Sequence, residues 1–159
     1  MVRIREINHS ESIGKSLMLL TQTSRLINKY IDAYFYRKAR FSFIKFMVLK
    51  VLASNNGVMK PSEIAEWTQT ERHNITTLTR RLMKDGLVLT KHSDKDRRST
   101  EVILTDKGRE TLNRVMPVAR DLIEKIMSSL TETDAEKFSQ MLEVLRDNVY
   151  DGFESIIKI

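Results

Sequence analysis

Hydrogen-bonding and cationic side chains recur on one side of residues 71–85. Read as a helix turning about 100° per residue, this stretch gathers its aliphatic residues in one stripe and its polar residues opposite. The polar side comprises His73, Thr77 and Arg80, flanked by Arg72, Asn74, Thr76 and Arg81. Hydroxyl, amide and guanidinium groups are those that contact base edges and phosphates. The pattern indicates a nucleic-acid-binding surface, with an ordinary solvated helix face as the alternative.

A second, shorter helix is predicted just upstream, at residues 61–67. Pro61 suits a first helical turn because its missing N–H would be unpaired there anyway. The apolar patch of this helix is Ile64, Ala65 and Trp67. Residues 68–70 then form a short turn, and the Thr70 hydroxyl can cap the next helix. Two helices joined by so short a connection predict a helix-turn-helix unit.

Downstream, two strand-like segments follow a turn. Gly86 can adopt the left-handed conformation that ends the longer helix. Residues 87–92 and 100–104 are rich in Val, Leu, Ile and Thr, and the loop between them contains no apolar residue. This pattern predicts a hairpin with a charged tip, paired with a short third strand at residues 58–59. Helix, turn, helix and hairpin together predict a winged helix.

Amphipathic helical stretches precede this unit. Residues 9–36 predict one helix, with Ser10 as its cap and a narrow apolar seam of the coiled-coil kind. The seam indicates a partner helix, with packing inside its own subunit as the alternative. The seam includes Ile13, Leu17, Leu20, Ile27, Ile31 and Tyr34. Residues 41–54 predict a second helix that is apolar nearly all round, and therefore buried beneath the winged unit.

Two further helices are predicted after the hairpin. Residues 105–129 have helical periodicity, and Pro117 should kink or break that helix. Thr131 and Asp134 have capping-box-like spacing at the start of the last helix. Because an exposed apolar end at residues 156–159 would lower solubility, we expect both ends of the chain to be covered in a homodimer.

Five short motifs, in this order and spacing, resemble the MarR (multiple antibiotic resistance regulator) family of winged helix-turn-helix transcriptional regulators. They are Ser62-Glu63-Ile64-Ala65, Leu78 to Leu82, Gly86-Leu87-Val88, Asp96-x-Arg98 and Leu104-Thr105-Asp106-Lys107-Gly108. The resemblance implies that the helix beginning near residue 71 enters the major groove of DNA. It also implies that Arg98, steadied by Asp96, enters the minor groove, although the neighbouring Arg97 is an alternative. Lys95 belongs to the same predicted DNA-binding loop.

Members of this family often bind anionic aromatic ligands between the dimerisation helices and the winged unit. The resemblance therefore implies a small anionic aromatic effector at the corresponding junction. Candidate ligand residues there are Tyr34, Tyr36, Arg37, Arg40 and Phe43. The alternative is that these side chains are structural aromatics and solvated arginines.

Composition narrows the remaining classes of function. The net charge is +6, and residues 72–98 carry eight Lys/Arg against three Asp/Glu, which favours an anionic polymer as partner. The absence of cysteine excludes disulfides and thiolate metal sites. No motif suggests a catalytic site, so we predict no enzyme activity, no cofactor and no metal site. With no apolar run of about 18 residues and no signal sequence, we predict a cytoplasmic protein that does not enter a membrane.

The sequence thus predicts a mainly α fold with a small β wing. Residues 37–108 should form the winged helix-turn-helix DNA-binding domain, and residues 1–36 and 109–159 the helical dimerisation region. The predicted function is a dimeric, sequence-specific regulator of transcription. It would be a repressor that binds a palindromic operator in double-stranded DNA and is released by a small ligand. A winged-helix protein-interaction module without sequence-specific DNA binding is the alternative; RNA binding is disfavoured because A-form RNA has an inaccessible major groove.

Overall fold

The computed structural model describes the backbone of residues 4–92 and 100–157 and the side chains of residues 11–92 and 100–156. Its helices are α1 (Ile4–Ala39), α2 (Phe43–Ser54), α3 (Pro61–Thr68), α4 (Arg72–Lys84), α5 (Asp106–Met127) and α6 (Glu132–Ile157). Its strands are β1 (Val58–Met59), β2 (Val88–His92) and β3 (Thr100–Leu104). This arrangement confirms the predicted fold class of a mainly α chain with a small β wing.

The first two helices differ from their predicted limits. α1 begins before Ser10, so this serine lies inside the helix and the prediction that it caps α1 is wrong. The chain leaves α1 through Arg40, whose φ of 49° is not helical. α2 begins two residues later than predicted because Ser42 caps it, accepting a hydrogen bond from the Lys45 N–H at 3.3 Å.

The three strands form one antiparallel sheet in the order β1-β3-β2, which confirms the third strand at residues 58–59. Val88 pairs with Leu104, and both are buried. Alternate residues of a strand point to opposite faces, so Leu89 and its partner Ile103 lie on the other, more exposed face. One face of the sheet therefore closes the core of the winged unit.

α2 supplies the centre of that core, as its nearly continuous apolar sequence predicts. Val48, Leu49 and Leu52 are almost completely buried. Phe35 from α1 is also fully buried, and its ring centroid lies 5.1 Å from that of Phe46. Aromatic pairs at this separation contribute about 0.5–1.5 kcal/mol beyond the area that they bury. α1 is thereby anchored to the winged unit through its last turns.

The C-terminal helices agree with the sequence in part. Pro117 does not break α5, which continues from residue 106 to residue 127. The capping motif before α6 is confirmed: Thr131 Oγ1 accepts a hydrogen bond from the Asp134 N–H at 3.2 Å, while Asp134 Oδ2 accepts one from the Thr131 N–H. None of the described helices is long and apolar enough to cross a membrane.

The chain divides into two compact units, residues 1–119 and 120–159. The first contains α1 to α4, the sheet and most of α5. The second contains the last turns of α5 and the whole of α6, whose large apolar side chains are mostly exposed.

Candidate nucleic-acid interface

A short connection joins α3 to α4. Gln69 takes a left-handed conformation with φ 51°, and the Thr70 N–H donates to the Ala65 carbonyl at 2.9 Å. The Thr70 hydroxyl donates to the Thr68 carbonyl at 3.1 Å, so the prediction that it caps α4 is wrong. The capping residue is Glu71, whose side chain makes no capping hydrogen bond. The helix-turn-helix unit itself is as predicted.

The apolar patch of α3 is divided between the core and the surface. Ile64 and Ala65 are buried, but 62% of Trp67 is exposed. The core of the winged unit therefore takes only the first two residues of the patch.

α4 has two distinct faces. Ile75, Leu78, Thr79 and Leu82 are buried against the core. The polar residues predicted to bind DNA are all solvent-exposed: Arg72, His73, Asn74, Thr76, Thr77, Arg80 and Arg81. The structure therefore brings these seven side chains together on one helix surface, which can donate and accept hydrogen bonds and carries three guanidinium groups.

The carboxyl end of α4 is held from two directions. Lys45 Nζ of α2 lies 2.6 Å from Asp85 Oδ2, and Lys107 Nζ of α5 donates to the Asp85 carbonyl at 2.7 Å. Gly86 follows with φ 74°, which confirms the predicted left-handed end of the helix. The Thr105 hydroxyl donates to the Gly86 carbonyl at 2.8 Å.

Close contact between α5 and the chain after α4 depends on Gly108. A Cβ atom at this position would lie 2.6 Å from Leu104 Cδ1 and closer still to the Leu87 carbonyl oxygen. The helix can approach the first residues of the hairpin this closely because glycine has no side chain. The first turn of α5 therefore packs directly against the main chain at Leu87.

β2 and β3 direct the chain toward the predicted minor-groove loop. His92 pairs with Thr100, and the ion pair between Lys91 and Glu101, at 3.7 Å, spans the two strands nearby. Four predicted DNA-binding residues, Lys95, Asp96, Arg97 and Arg98, lie outside the described residues. The described strands thus locate the start and end of this loop.

Acidic residues flank the α3–α4 junction. A concave surface of about 520 Å³ is lined there by Ser62, Glu63, Ala65, Glu66, Gln69, Thr70, Glu71 and Arg72. Glu63 Oε2 accepts a hydrogen bond from the Lys60 N–H at 2.8 Å, whereas Glu71 caps nothing with its side chain. Sequence reasoning missed Glu71 as a candidate for base recognition. Its position immediately before the first turn of α4 was the available signal, because that end of such helices contacts base edges.

The candidate ligand residues fall into two groups. Tyr34 is buried and Phe43 is half-buried, with its ring 5.1 Å from that of Phe35 in an edge-on arrangement. Tyr36, Arg37 and Arg40 are exposed, and the Arg40 guanidinium lies 5.2 Å from the centre of the Tyr36 ring. Positions 34 and 36 are about 200° apart around a helix, so the structure does not gather the five side chains around one point.

No metal-binding cluster is present in the part of the chain that the structure describes. His73 and His92 are both exposed, on α4 and at the end of β2.

Comparison with known proteins agrees with this geometry. A model of the winged helix DNA-binding domain matches residues 42–108. The HTH-type transcriptional regulator PapX of Escherichia coli is 30% identical over 142 residues, which cover 87% of this chain and 84% of PapX. The chain belongs to the MarR family of winged helix-turn-helix transcriptional regulators.

Another relative and a solved structure are also similar to this chain, the first in sequence and the second in fold. The HTH-type transcriptional repressor IacR of Pseudomonas putida is 33% identical over 105 residues, covering 66% of this chain but only 62% of IacR. The chain therefore aligns with less than two thirds of the length of IacR. Sco3205 of Streptomyces coelicolor, a MarR family regulator solved in complex with DNA, is 21% identical with a TM-score of 0.78. That match covers 89% of this chain and 88% of Sco3205.

Proposed function

We propose that this MarR family protein is a dimeric, sequence-specific DNA-binding regulator that represses transcription from a palindromic operator. The proposal rests on the exposed polar face of α4, whose opposite, apolar side is buried in the core of a winged helix. The match to a DNA-binding domain model and the similarity to a named repressor, IacR, support the same conclusion.

The chemistry of α4 suits the major groove, which is about 12 Å wide and admits a helix. In the proposed complex Thr77 and Arg80, near the middle of the exposed face, contact base edges or phosphates, with His73 and Thr76 beside them. An arginine that contacts guanine through two hydrogen bonds contributes about 1–3 kcal/mol of discrimination. Arg72, at the amino end, is placed to neutralise a phosphate.

The loop between β2 and β3 would contact the adjacent minor groove. We propose that Arg98, or secondarily Arg97, enters a narrow A·T-rich groove, where the negative potential is concentrated and a weakly hydrated guanidinium is favoured. Asp96 cannot itself attract phosphate, so we assign it the role of orienting the arginine. Lys95 would contribute a phosphate contact.

Dimerisation accounts for the exposed apolar side chains near the two ends of the chain. On α1 these include Ile13, Leu17, Met18, Leu19, Leu26 and Tyr30; on α6 they include Phe138, Met141, Leu145, Val149, Phe153 and Ile156. We propose that residues 1–36 and 109–159 form the homodimer interface and residues 37–108 the DNA-binding domain. A dimer with a two-fold axis places two α4 helices about 34–36 Å apart and therefore selects a palindromic site.

A small anionic aromatic ligand remains part of the proposal as the signal that releases DNA. Arg37 and Arg40 provide exposed positive charge at the carboxyl end of α1, where the Arg40 guanidinium lies 5.2 Å from the centre of the Tyr36 ring. Since the side chains fall into two groups, a ligand at this end of α1 would contact Tyr36, Arg37 and Arg40 more readily than Tyr34.

Selection of DNA fragments on the full-length protein, followed by sequencing, tests the proposed function. We expect enrichment of one inverted-repeat sequence, and light scattering should give the mass of a dimer at micromolar concentration. Arg80→Ala should reduce affinity for the selected site by about 1–3 kcal/mol if the arginine reads guanine. Recovery of random fragments only would contradict sequence-specific binding and favour a protein-interaction module, and a stable monomer would contradict the dimer.

A further inference from the structure

The carboxyl end of α4 is tied to two other helices through a single residue, Asp85. The Lys45 ammonium of α2 pairs with the Asp85 carboxylate at 2.6 Å, and the Lys107 ammonium of α5 binds the Asp85 carbonyl at 2.7 Å. The Lys45 side chain is only 24% exposed. Its ammonium lies 5.9 Å from the centre of the ring of Phe41, a residue of the connection between α1 and α2. Forty residues separate Lys45 from Asp85 in the chain, so only the fold brings them together.

These two contacts restrain the orientation of α4, which its apolar face restrains less. The buried stripe of α4 holds the helix by hydrophobic contact, which is not directional. Hydrogen bonds and ion pairs at the end of the helix have defined distances and angles. α4 has 13 residues and is therefore about 20 Å long. A tilt of about 3° about Asp85 would move its amino end by about 1 Å, enough to weaken hydrogen bonds to bases.

We propose that Asp85, Lys45 and Lys107 form a positioning clamp that sets the orientation of α4 in the major groove without contacting DNA. This inference rests on the proposed DNA-binding function and assigns a role to residues that the proposed DNA-contacting surface does not include. The clamp joins α4 to α2 through the Asp85 carboxylate and to α5 through the Asp85 carbonyl.

The two lysines could instead contact phosphate directly. Whether Asp85→Asn raises or lowers the affinity for DNA distinguishes the two roles. Asp85→Asn removes a negative charge from a protein that binds a polyanion. If Asp85 acts only through general electrostatics, this variant binds all DNA equally well or more tightly. If Asp85 positions α4, the variant binds the selected operator more weakly, by about three- to tenfold, while its affinity for unrelated duplex DNA does not fall.

Fluorescence anisotropy measures the affinity for the operator and for unrelated duplex DNA, and a series of salt concentrations gives the salt dependence of each. Lys45→Met should weaken operator binding to a similar extent without changing the slope of log affinity against log salt concentration. Loss of a phosphate contact would instead lower that slope by about one. The exchanged double variant K45D/D85K should recover most of the lost operator affinity. Glu101→Gln is the matched control, because it removes one carboxylate from an ion pair between β2 and β3 and leaves the Asp85 contacts in place.

The outcomes are distinguishable from failure of the proposed function itself. A wild-type protein that does not prefer any duplex sequence would contradict the proposed function before the variants are compared. Given a specific wild-type complex, equal or tighter operator binding by Asp85→Asn overturns the clamp, as does an equal weakening by Glu101→Gln. If the double variant fails to fold, two measurements still test the clamp: the direction in which Asp85→Asn changes operator affinity, and the salt dependence of binding by Lys45→Met.

Discussion

Replacing Gly108 by alanine has two opposite effects on the stability of the fold. Gly108 lies in the first turn of α5, and alanine is favoured over glycine in a helix by about 1 kcal/mol. The added Cβ atom, however, would lie 2.6 Å from Leu104 Cδ1 and closer still to the Leu87 carbonyl oxygen. Cβ atoms essentially never approach other atoms within 3.0 Å, so the backbone of α5 or of residue 87 must move.

The cost of that movement follows from the contacts that it disturbs. The Thr105 N–H donates to the Leu87 carbonyl at 3.2 Å, and its hydroxyl donates to the Gly86 carbonyl at 2.8 Å. Each such hydrogen bond contributes about 0.5–1.5 kcal/mol, and overpacking in a core costs about 1–3 kcal/mol. After subtraction of the helix preference, we expect Gly108→Ala to lower the free energy of unfolding by about 3 kcal/mol. For a chain of this size the melting temperature should fall by about 6–12 °C.

Thermal denaturation followed by circular dichroism at 222 nm, at one fixed protein concentration, measures this change. Gly14→Ala provides the control: Gly14 is an exposed helical glycine, and a Cβ atom there meets nothing within 4 Å in the described part of its own chain. It should leave the melting temperature unchanged or raise it slightly, through a gain of up to about 1 kcal/mol. A Gly108→Ala protein that melts within about 2 °C of the wild type would refute the inference that close approach outweighs helix preference.

Three other substitutions test separate parts of the proposed interface. The buried Thr79 hydroxyl has no hydrogen-bond partner among the described residues, so Thr79→Val should stabilise the fold by about 1 kcal/mol without altering DNA affinity. Thr77→Val should instead weaken operator binding at unchanged stability. The reverse pattern, seen in melting and anisotropy data, would show that the two faces of α4 are misassigned. A glutamate accepts a hydrogen bond from cytosine, whereas a glutamine pairs with adenine. Glu71→Gln should therefore shift the selected base at one position of each half-site from cytosine toward adenine, while Glu66→Gln leaves the selected sequence unchanged. Identical selected sequences for both variants would exclude Glu71 from base reading. Asp96→Ala should weaken operator binding if Asp96 orients an arginine, and a tighter complex in a gel-shift titration would contradict that role.

Local sequence features were sufficient to predict the helix-turn-helix, the hairpin and the two faces of α4. Apolar spacing in α4 placed Ile75, Leu78 and Leu82 on the buried side because a helix repeats every 3.6 residues, whatever lies around it. Gly86 was predictable for a similar reason, since few other residues take a left-handed conformation at the end of a helix.

Features that depend on contacts between distant segments were not predictable in this way. Trp67 is apolar, yet only the tertiary structure shows that 62% of it is exposed. The cap of α4 falls on Glu71 and not on Thr70 because the intervening turn is fixed by a backbone hydrogen bond to α3. Which of Tyr34 and Tyr36 is buried likewise depends on the side of α1 that packs against the rest of the chain.

The sequence alone therefore determined which elements form and which side of α4 is polar, because periodicity and turn chemistry act over a few residues. The tertiary structure alone decided how the carboxyl end of α4 is held, through Lys45 and Lys107, and how closely α5 approaches residue 87. Ion pairs and close contacts of this kind join residues that are far apart in the chain. Their geometry is set by the packing of whole helices, and no local pattern in the sequence encodes it.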